Sequence, residues 1–234
     1  MSLSHAKTGP GAVYLVSSSQ KATLDAMVER ALAGIARKPA RIAATFAASG
    51  GPHVAQMSAF LQKAFGGAEV TRFTVTGENP EMPPWEARAI VDDADLIFVG
   101  GGDPVHGAMV LGGGGANEWI REANARGTPC MGLSAGAIML CAWWGVWPDD
   151  APADAPHDGG ELVPCLGVVP DLVIDCHAEE DHWAELALVR GMLRDHLDEL
   201  PNMPRFLGLP TGGGLIVAPD GRLETVGAAP FLLL

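Results

Sequence analysis

Short apolar runs and longer segments of helical periodicity alternate along most of the chain. Apolar runs bounded by turn residues predict internal β-strands, whereas apolar residues recurring every three or four positions predict amphipathic helices. The predicted strands cover residues 12–17, 41–47, 68–75, 95–99, 128–133 and 169–175. The predicted helices cover residues 22–37, 54–65, 85–93, 116–126, 135–144 and 179–200.

This alternation predicts an α/β protein, a three-layer sandwich with a mostly parallel central sheet and helices on both faces. Short strands are also predicted near the C-terminus, at residues 205–209, 215–217 and 222–226. The last two are expected to form a β-hairpin around Asp220 and Gly221. Because no repeat or linker divides the sequence, we expect a single domain over residues 1–234.

Composition narrows the range of partners. The chain has 234 residues, of which 48% are hydrophobic, enough for one sizeable core. Its net charge of −13 argues against nucleic acid and anionic membranes as partners. No apolar run is long enough to span a bilayer, and the first residues lack the apolar core of a signal peptide. We therefore expect a cytoplasmic protein.

The cysteine and histidine patterns indicate neither a metal site nor a disulfide framework. The four cysteines, in apolar surroundings and without CxxC spacing, are Cys130, Cys141, Cys165 and Cys176. They are expected to be buried thiols of a reducing compartment. The densest group of metal-ligand residue types, residues 175–182, lacks the His-Glu-x-x-His spacing of a zinc helix. We expect no metal and no cofactor.

The most informative segment is residues 132–136, with the sequence GLSAG, between a predicted strand and a predicted helix. Small residues on both sides of Ser134 allow the sharp turn called a nucleophile elbow, which exposes a serine hydroxyl at a helix N-terminus. The pattern supports two interpretations. Ser134 is either a catalytic nucleophile or a solvated serine in a tight turn.

A serine nucleophile needs a base and donors for the oxyanion. His177 follows a predicted strand and is expected at the same sheet edge as Ser134, so it is the candidate base. The backbone amides of Gly101, Gly102 and Ala135 are the candidate oxyanion donors. Asp103 and His106 follow the glycines and are candidates for lining the pocket.

Four motifs in this order resemble a known family. They are residues 100–103 (GGGD), 132–137 (GLSAGA), 175–177 (DCH) and 208–211 (GLPT). The chain resembles the serine peptidases that include peptidase E (aspartyl dipeptidase) and cyanophycinase, whose fold is related to class I glutamine amidotransferases. The resemblance implies that Ser134 is the nucleophile, that His177 is the general base, and that the amides near Gly102 and Ala135 form the oxyanion hole. The amidotransferases carry cysteine at the elbow, so serine favours the peptidase branch.

The sequence departs from this family at the third catalytic position. Relatives have aspartate and glutamate where this chain has Pro210 and Thr211, and that glutamate orients the histidine. A threonine hydroxyl can accept a hydrogen bond from imidazole but supplies no negative charge. Candidate substitutes are the nearby acids Asp175, Glu179 and Glu180. Asp175 would share the side of His177 if the strand continued that far.

A second departure is the acidic run at residues 179–181, where relatives often carry arginines. Such a run either repels acidic substrates or is a solvated helix start. The resemblance implies a serine hydrolase that cleaves a small peptide or isopeptide bond with an aspartyl-type acyl portion. One alternative is a non-catalytic or altered ligand-binding member of the same fold. Another is an α/β-hydrolase esterase using an acid from the acidic loop, Asp149, Asp150 or Asp154. The apolar end, residues 228–234, packs either on the domain or on a second copy in a homodimer.

Overall fold

The computed structural model describes residues 9–49, 54–75, 82–147, 160–195 and 202–234. The helices are α1 Lys21–Ala33, α2 Val54–Ala64, α3 Pro84–Asp92, α4 Pro104–Gly113, α5 Ala116–Ala125, α6 Ala135–Leu140 and α7 Ala184–Asp195. The first six strands are β1 Val13–Val16, β2 Arg41–Thr45, β3 Glu69–Arg72, β4 Leu96–Val99, β5 Cys130–Leu133 and β6 Trp143–Val146. The others are β7 Glu161–Pro164, β8 Leu172–Cys176, β9 Arg205–Leu209, β10 Gly213–Val217, β11 Leu223–Gly227 and β12 Phe231–Leu233.

A seven-stranded sheet forms the centre of the fold, with the strand order β11-β10-β1-β5-β4-β2-β3. The five strands from β1 to β3 in this order are parallel. Strands β10 and β11 form the predicted C-terminal hairpin, and β10 pairs antiparallel with β1. The carboxyl ends of β1, β2, β4 and β5 therefore meet at one edge of the sheet. The predicted α/β class and its mostly parallel sheet are confirmed.

Side chains of the central strands belong to two separate hydrophobic clusters, one on each face of the sheet. Along β1, Val13 and Leu15 belong to one cluster, and Tyr14 and Val16 belong to the other. Helices α1 and α2 cover the second face, whereas α3 to α6 cover the first. Because both faces are covered, strand residues of either orientation must be apolar, which explains the continuous apolar runs in the sequence.

Two small sheets stand beside the central one. Strands β12, β9 and β8 form one of them, and β6 and β7 form the other. The strand predicted at residues 169–175 is expected within the main sheet, with His177 at the carboxyl edge of that sheet. It is β8, and it pairs parallel with β9 in the three-stranded sheet instead. Periodicity identifies a strand but carries no information about which partner it pairs with.

The helix predicted at residues 135–144 is too long. Helix α6 ends at Leu140, and Cys141 already has an extended backbone. The amide of Ala142 then donates to the carbonyl of Leu172, while its carbonyl accepts from Cys165. These long-range backbone hydrogen bonds hold the following tryptophans in an extended conformation, as strand β6. Aromatic residues favour that conformation.

The helix predicted at residues 179–200 begins later than expected, at Ala184. His182 and Trp183 have left-handed backbone φ values of 57° and 63°, which no helix accommodates. The amide of Trp183 donates to the Asp181 carboxylate at 2.9 Å, so the acidic run forms a turn ahead of the helix. Residues 196–200 lie outside the described ranges. None of the helices in those ranges combines the length and the apolar character that crossing a bilayer requires.

Candidate active site

Ser134 occupies the turn between β5 and α6 at the carboxyl edge of the central sheet. Its backbone angles, φ 53° and ψ −123°, are rarely adopted by a residue with a side chain. The turn is held because the Ser134 amide donates to the carbonyl of Val16 at 2.8 Å, and its carbonyl accepts from Ala137 at 2.8 Å. This geometry is that of a nucleophile elbow, with the hydroxyl at the end of the strand.

The glycines around Ser134 are required by close backbone packing. A Cβ atom at Gly136 would lie 2.0 Å from the carbonyl oxygen of Val99. A Cβ atom at Gly132 would lie 2.5 Å from the carbonyl oxygen of Gly136. Neither position leaves room for any side chain, so the helix can pass directly over the end of β4 only with glycine there.

His177 lies directly after β8, and its ring faces Ser134. The distance between Ser134 Oγ and His177 Nε2 is 2.7 Å, although the two residues are 43 positions apart. The histidine backbone has a left-handed φ of 48°, and its amide donates to the carbonyl of Leu209 at 2.9 Å. When the serine hydroxyl donates to Nε2, the ring proton resides on Nδ1.

Thr211 forms no hydrogen bond with the histidine ring; it binds Glu179 instead. The backbone amide of Thr211 donates a short hydrogen bond to the Glu179 carboxylate, and its hydroxyl lies 3.4 Å from the second oxygen. Burial tends to raise the pKa of Glu179, but the Thr211 hydrogen bonds and the nearby charge of His177 outweigh it, so the pKa is lowered. Among the described residues, Nδ1 of His177 has no hydrogen-bond partner.

Asp175 forms no hydrogen bond with the histidine ring. One carboxylate oxygen accepts from the amide of Cys176 at 2.7 Å, and the other is buried without a partner among the described residues. Burial, together with the negative charges of Glu185, Asp181 and Glu179, raises the pKa of Asp175 to about 7. The side chains of Asp175 and His177 would lie on the same side of the chain only if the strand continued through His177. Because β8 ends at Cys176 and His177 has a left-handed backbone, the alternation of side chains stops there.

The backbone amides of Gly101 and Gly102 are available beside the serine. A Cβ atom at Gly101 would lie 3.2 Å from the Cβ of Ser134, which shows how close the two backbones approach. In the described part of the chain, the amides of Gly101 and Gly102 donate to no acceptor. Ala135 is the first residue of α6, so its amide has no acceptor within the helix. These are the three donors expected from the sequence.

Asp103 caps a helix, and neither Asp103 nor His106 is among the residues that line the cavity beside Ser134. The Asp103 carboxylate caps α4 by accepting from the amides of Val105 at 2.8 Å and His106 at 3.0 Å. Proline at the first position of the helix completes this N-cap arrangement. The cap fixes the start of α4 and, with it, the end of the glycine loop.

A cavity of about 570 Å³ opens beside Ser134. It is lined by Ser17, Ser18, Ser19, Ser49, Gln56, Met57, Phe60, Gly101, Gly102, Leu133, Ser134 and His177. Sequence reasoning missed the residues that come from the loops after β1 and β2 and from α2. Their position directly after two parallel strands was the available signal, since sites in such sheets gather at the strands' carboxyl ends.

None of the four cysteines lines this cavity. All four cysteines are buried free thiols, as predicted. Burial raises the pKa of Cys130 and of Cys165 to about 12, so these thiols stay protonated at neutral pH. Within the described ranges, no group of three or more His, Cys, Asp or Glu side chains is arranged to hold a metal ion.

Comparison with known proteins identifies the family of this chain. The sequence profile of peptidase family S51 matches residues 15–197. A crystal structure of a peptidase from an acI-B1 Actinobacterium has a TM-score of 0.66 and 21% identity, covering 95% of this chain and 89% of that one. A peptidase E-like protein from Listeria monocytogenes EGD-e has a TM-score of 0.63 and 16% identity, with coverages of 94% and 100%. No curated protein is a significant match to the sequence. The chain belongs to peptidase family S51, whose members are serine peptidases.

Proposed function

We propose that the protein is a serine peptidase that cleaves a small peptide or isopeptide bond through an acyl-enzyme on Ser134. The observation that carries this proposal is the 2.7 Å contact between Ser134 Oγ and His177 Nε2. In the proposed reaction, Nε2 takes the hydroxyl proton as Oγ attacks the scissile carbonyl. The same proton then passes to the leaving amine, and water activated by His177 hydrolyses the ester.

The backbone around Ser134 supports this mechanism electrostatically. The oxyanion of the tetrahedral intermediate would accept hydrogen bonds from the amides of Gly101, Gly102 and Ala135. These amides are fixed by the glycine loop and by the start of α6, so little reorganisation is needed during the reaction. The helix N-terminus adds a further favourable dipole.

In this proposal Glu179 is the acidic partner of His177, and Thr211 positions Glu179. The two hydrogen bonds from Thr211 fix the carboxylate close enough to His177 for the histidine charge to lower its pKa. Glu179 would then stabilise the imidazolium formed during catalysis. Because its carboxylate is not hydrogen-bonded to the ring, its contribution should be smaller than the roughly 10⁴-fold effect of a directly bonded triad acid.

Replacement of the nucleophile tests the proposal. Ser134→Ala should abolish hydrolysis of any dipeptide or isopeptide that the wild-type protein cleaves, and should abolish labelling by an alkyl fluorophosphonate. Ser58→Ala is the matched control, because Ser58 lies on α2 outside the cavity lining. Hydrolysis or labelling that persists in Ser134→Ala would contradict the proposal.

Two observations favour a second function, that of a non-catalytic ligand-binding protein. In the described residues Nδ1 of His177 is unpartnered, and the position of the family's glutamate is held by Thr211. An inert Ser134 would react with a fluorophosphonate no faster than Ser58 does, which separates the two functions. The esterase alternative depends on Asp149, Asp150 or Asp154, which lie outside the described residues, and the family match supports a peptidase instead.

The single domain, the cytoplasmic location and the homodimer are also proposals, and the structure offers physical support for them. Both hydrophobic clusters pack on the two faces of one sheet, which supports a single α/β domain. Four free buried cysteines are typical of a reducing compartment and support a cytoplasmic location. At the C-terminal end, Phe231 stacks on Trp183 while Leu232 and Leu234 remain exposed, so a homodimer through this end stays a proposal.

A further inference from the structure

The cavity beside Ser134 has one apolar wall. Met57 and Phe60 project from α2, and Leu133 comes from the end of β5. The two α2 side chains are only partly buried, unlike Leu61 and Phe65, which are completely enclosed in the core below them. Met57 and Phe60 therefore leave apolar surface uncovered in the cavity, where a substrate side chain could cover it.

The polar side of the cavity offers few side-chain hydrogen-bond donors. The Ser17 hydroxyl donates to the carbonyl of Pro210 at 2.6 Å, and the Ser49 hydroxyl donates to the carbonyl of Gly101. Both hydroxyls can then offer only lone pairs to a ligand. Besides Ser134, His177 and the backbone amides of the glycine loop, the donors that remain are the neutral side chains of Ser18, Ser19 and Gln56. Apart from the ring of the proposed base His177, a substrate carboxylate would find no positively charged side chain in this lining.

In the described part of the chain, lysine and arginine side chains do not contribute to the cavity lining. Of the 15 lysine and arginine residues, all except Lys7 lie in the described ranges, and none of those lines the cavity. Arg37 and Arg41 pair with Asp93 at the opposite, amino end of the parallel strands. The Glu179 carboxylate is close enough to His177 for the two charges to interact, and it would repel an acidic substrate.

We propose that this cavity binds an uncharged apolar side chain on the acyl residue of the substrate, with Met57 and Phe60 as the specificity-determining residues. This inference rests on the proposed peptidase function. It differs from the aspartyl side chain that the family resemblance implies, because burying a carboxylate without a charged partner is unfavourable. The apolar wall should favour a leucine-sized side chain over an acidic one by about tenfold or more.

Covalent labelling can measure this preference without a known substrate. Three diphenyl α-aminoalkylphosphonates would carry isobutyl, carboxymethyl and aminobutyl side chains, as analogues of leucine, aspartate and lysine. Ser134 Oγ bonds to phosphorus, phenoxide leaves, and the serine proton passes through His177 to give phenol. Mass spectrometry of the intact protein gives each rate, and an alkyl fluorophosphonate without a recognition side chain reports the reactivity of Ser134 alone.

The isobutyl probe should label the wild-type protein about tenfold faster than the carboxymethyl probe. Met57→Arg should reverse that order, whereas Met109→Arg should leave it unchanged. Met109 is the matched control because it is an exposed methionine of α4 outside the cavity lining. Phe60→Ala provides a second test and should slow the isobutyl probe severalfold without changing the carboxymethyl rate.

The outcomes separate the two proposals. If the fluorophosphonate fails to label wild-type Ser134, the proposed function is wrong. If it labels Ser134 but the carboxymethyl or aminobutyl probe reacts fastest, the peptidase assignment stands and the apolar specificity is wrong. The wild-type comparison needs no variant, so a variant that fails to fold does not affect this decision.

Discussion

The two halves of the candidate active site are held by different kinds of contact. The nucleophile half consists of β5, Ser134 and α6, and the base half consists of β8, His177, Glu179 and Thr211. In the nucleophile half, backbone passes against backbone so closely that only glycine fits at Gly132 and Gly136. In the base half, the backbone amide and the hydroxyl of Thr211, from a distant loop, hold the Glu179 carboxylate through hydrogen bonds. The first half should therefore tolerate almost no change, whereas the second should respond gradually.

The largest effect is expected in the nucleophile half, for Gly136→Ala. The added methyl group would lie 2.0 Å from the carbonyl oxygen of Val99, so α6 or β4 must move. Such overpacking should lower the free energy of unfolding by roughly 3 kcal/mol or more and displace Ser134. Thermal or urea unfolding measures the first effect, and fluorophosphonate labelling measures the second.

Gly34→Ala is the matched control for that substitution. Gly34 follows α1 with a φ of −81°, and a Cβ atom there would have no neighbour within 4 Å. The free energy of unfolding should stay within about 0.5 kcal/mol of wild type. An equal loss of stability in both variants would show that the tight packing at the elbow is not the cause.

The same contrast between the two halves explains which parts of the fold and of the site could be predicted from the sequence. The elbow was predictable because each requirement, a strand end, two glycines and a helix start, is local to residues 132–136. The central strands were predictable because burial on both faces makes them continuously apolar. The pairing of β8 with β9 and the early end of α6 were not, since backbone contacts with distant segments decide both.

The base half and the cavity wall were harder to predict for a related reason. Thr211 and Glu179 are 32 positions apart, and only the folded chain shows that one holds the other. The side chain of Asp175 was expected on the same side as that of His177, because no local sequence signal predicts the left-handed backbone of His177. Met57 and Phe60 match the apolar periodicity of a core-facing helix, so the sequence does not distinguish them from Leu61 and Phe65.

The next effect concerns the buried carboxyl of Asp175 in the base half. Because burial raises its folded pKa from 3.8 to about 7, the unfolded chain loses this proton first as the pH rises. The free energy of unfolding should therefore decrease by about 1.4 kcal/mol per pH unit between these two values and level off above them. Asp175→Asn removes this titration. The difference between wild type and variant should change by roughly 2 to 3 kcal/mol between about pH 5 and pH 7.

Urea unfolding of both proteins over this pH range measures that difference. Titrating groups that do not interact with Asp175 contribute equally to the two proteins and cancel. Asp171→Asn is a suitable control, because Asp171 is exposed and pairs with Arg205 at the surface. A difference between wild type and Asp175→Asn that does not vary with pH would show that the carboxyl is ionised in the folded state.

The smallest effect is expected for Glu179→Gln, which keeps the shape of the side chain but removes its charge beside His177. We expect kcat to fall about tenfold with little change in KM, because the carboxylate stabilises the imidazolium across a gap that salt can screen. Added salt should therefore slow the wild-type enzyme and leave the variant nearly unaffected, a response that a purely structural role of Glu179 would not produce. Glu180→Gln is the matched control, since Glu180 is exposed and forms no ion pair among the described residues. Equal kcat values in the Glu179 and Glu180 variants would show that His177 acts without an acidic partner at this position, and the gradual response expected of the base half would then be absent.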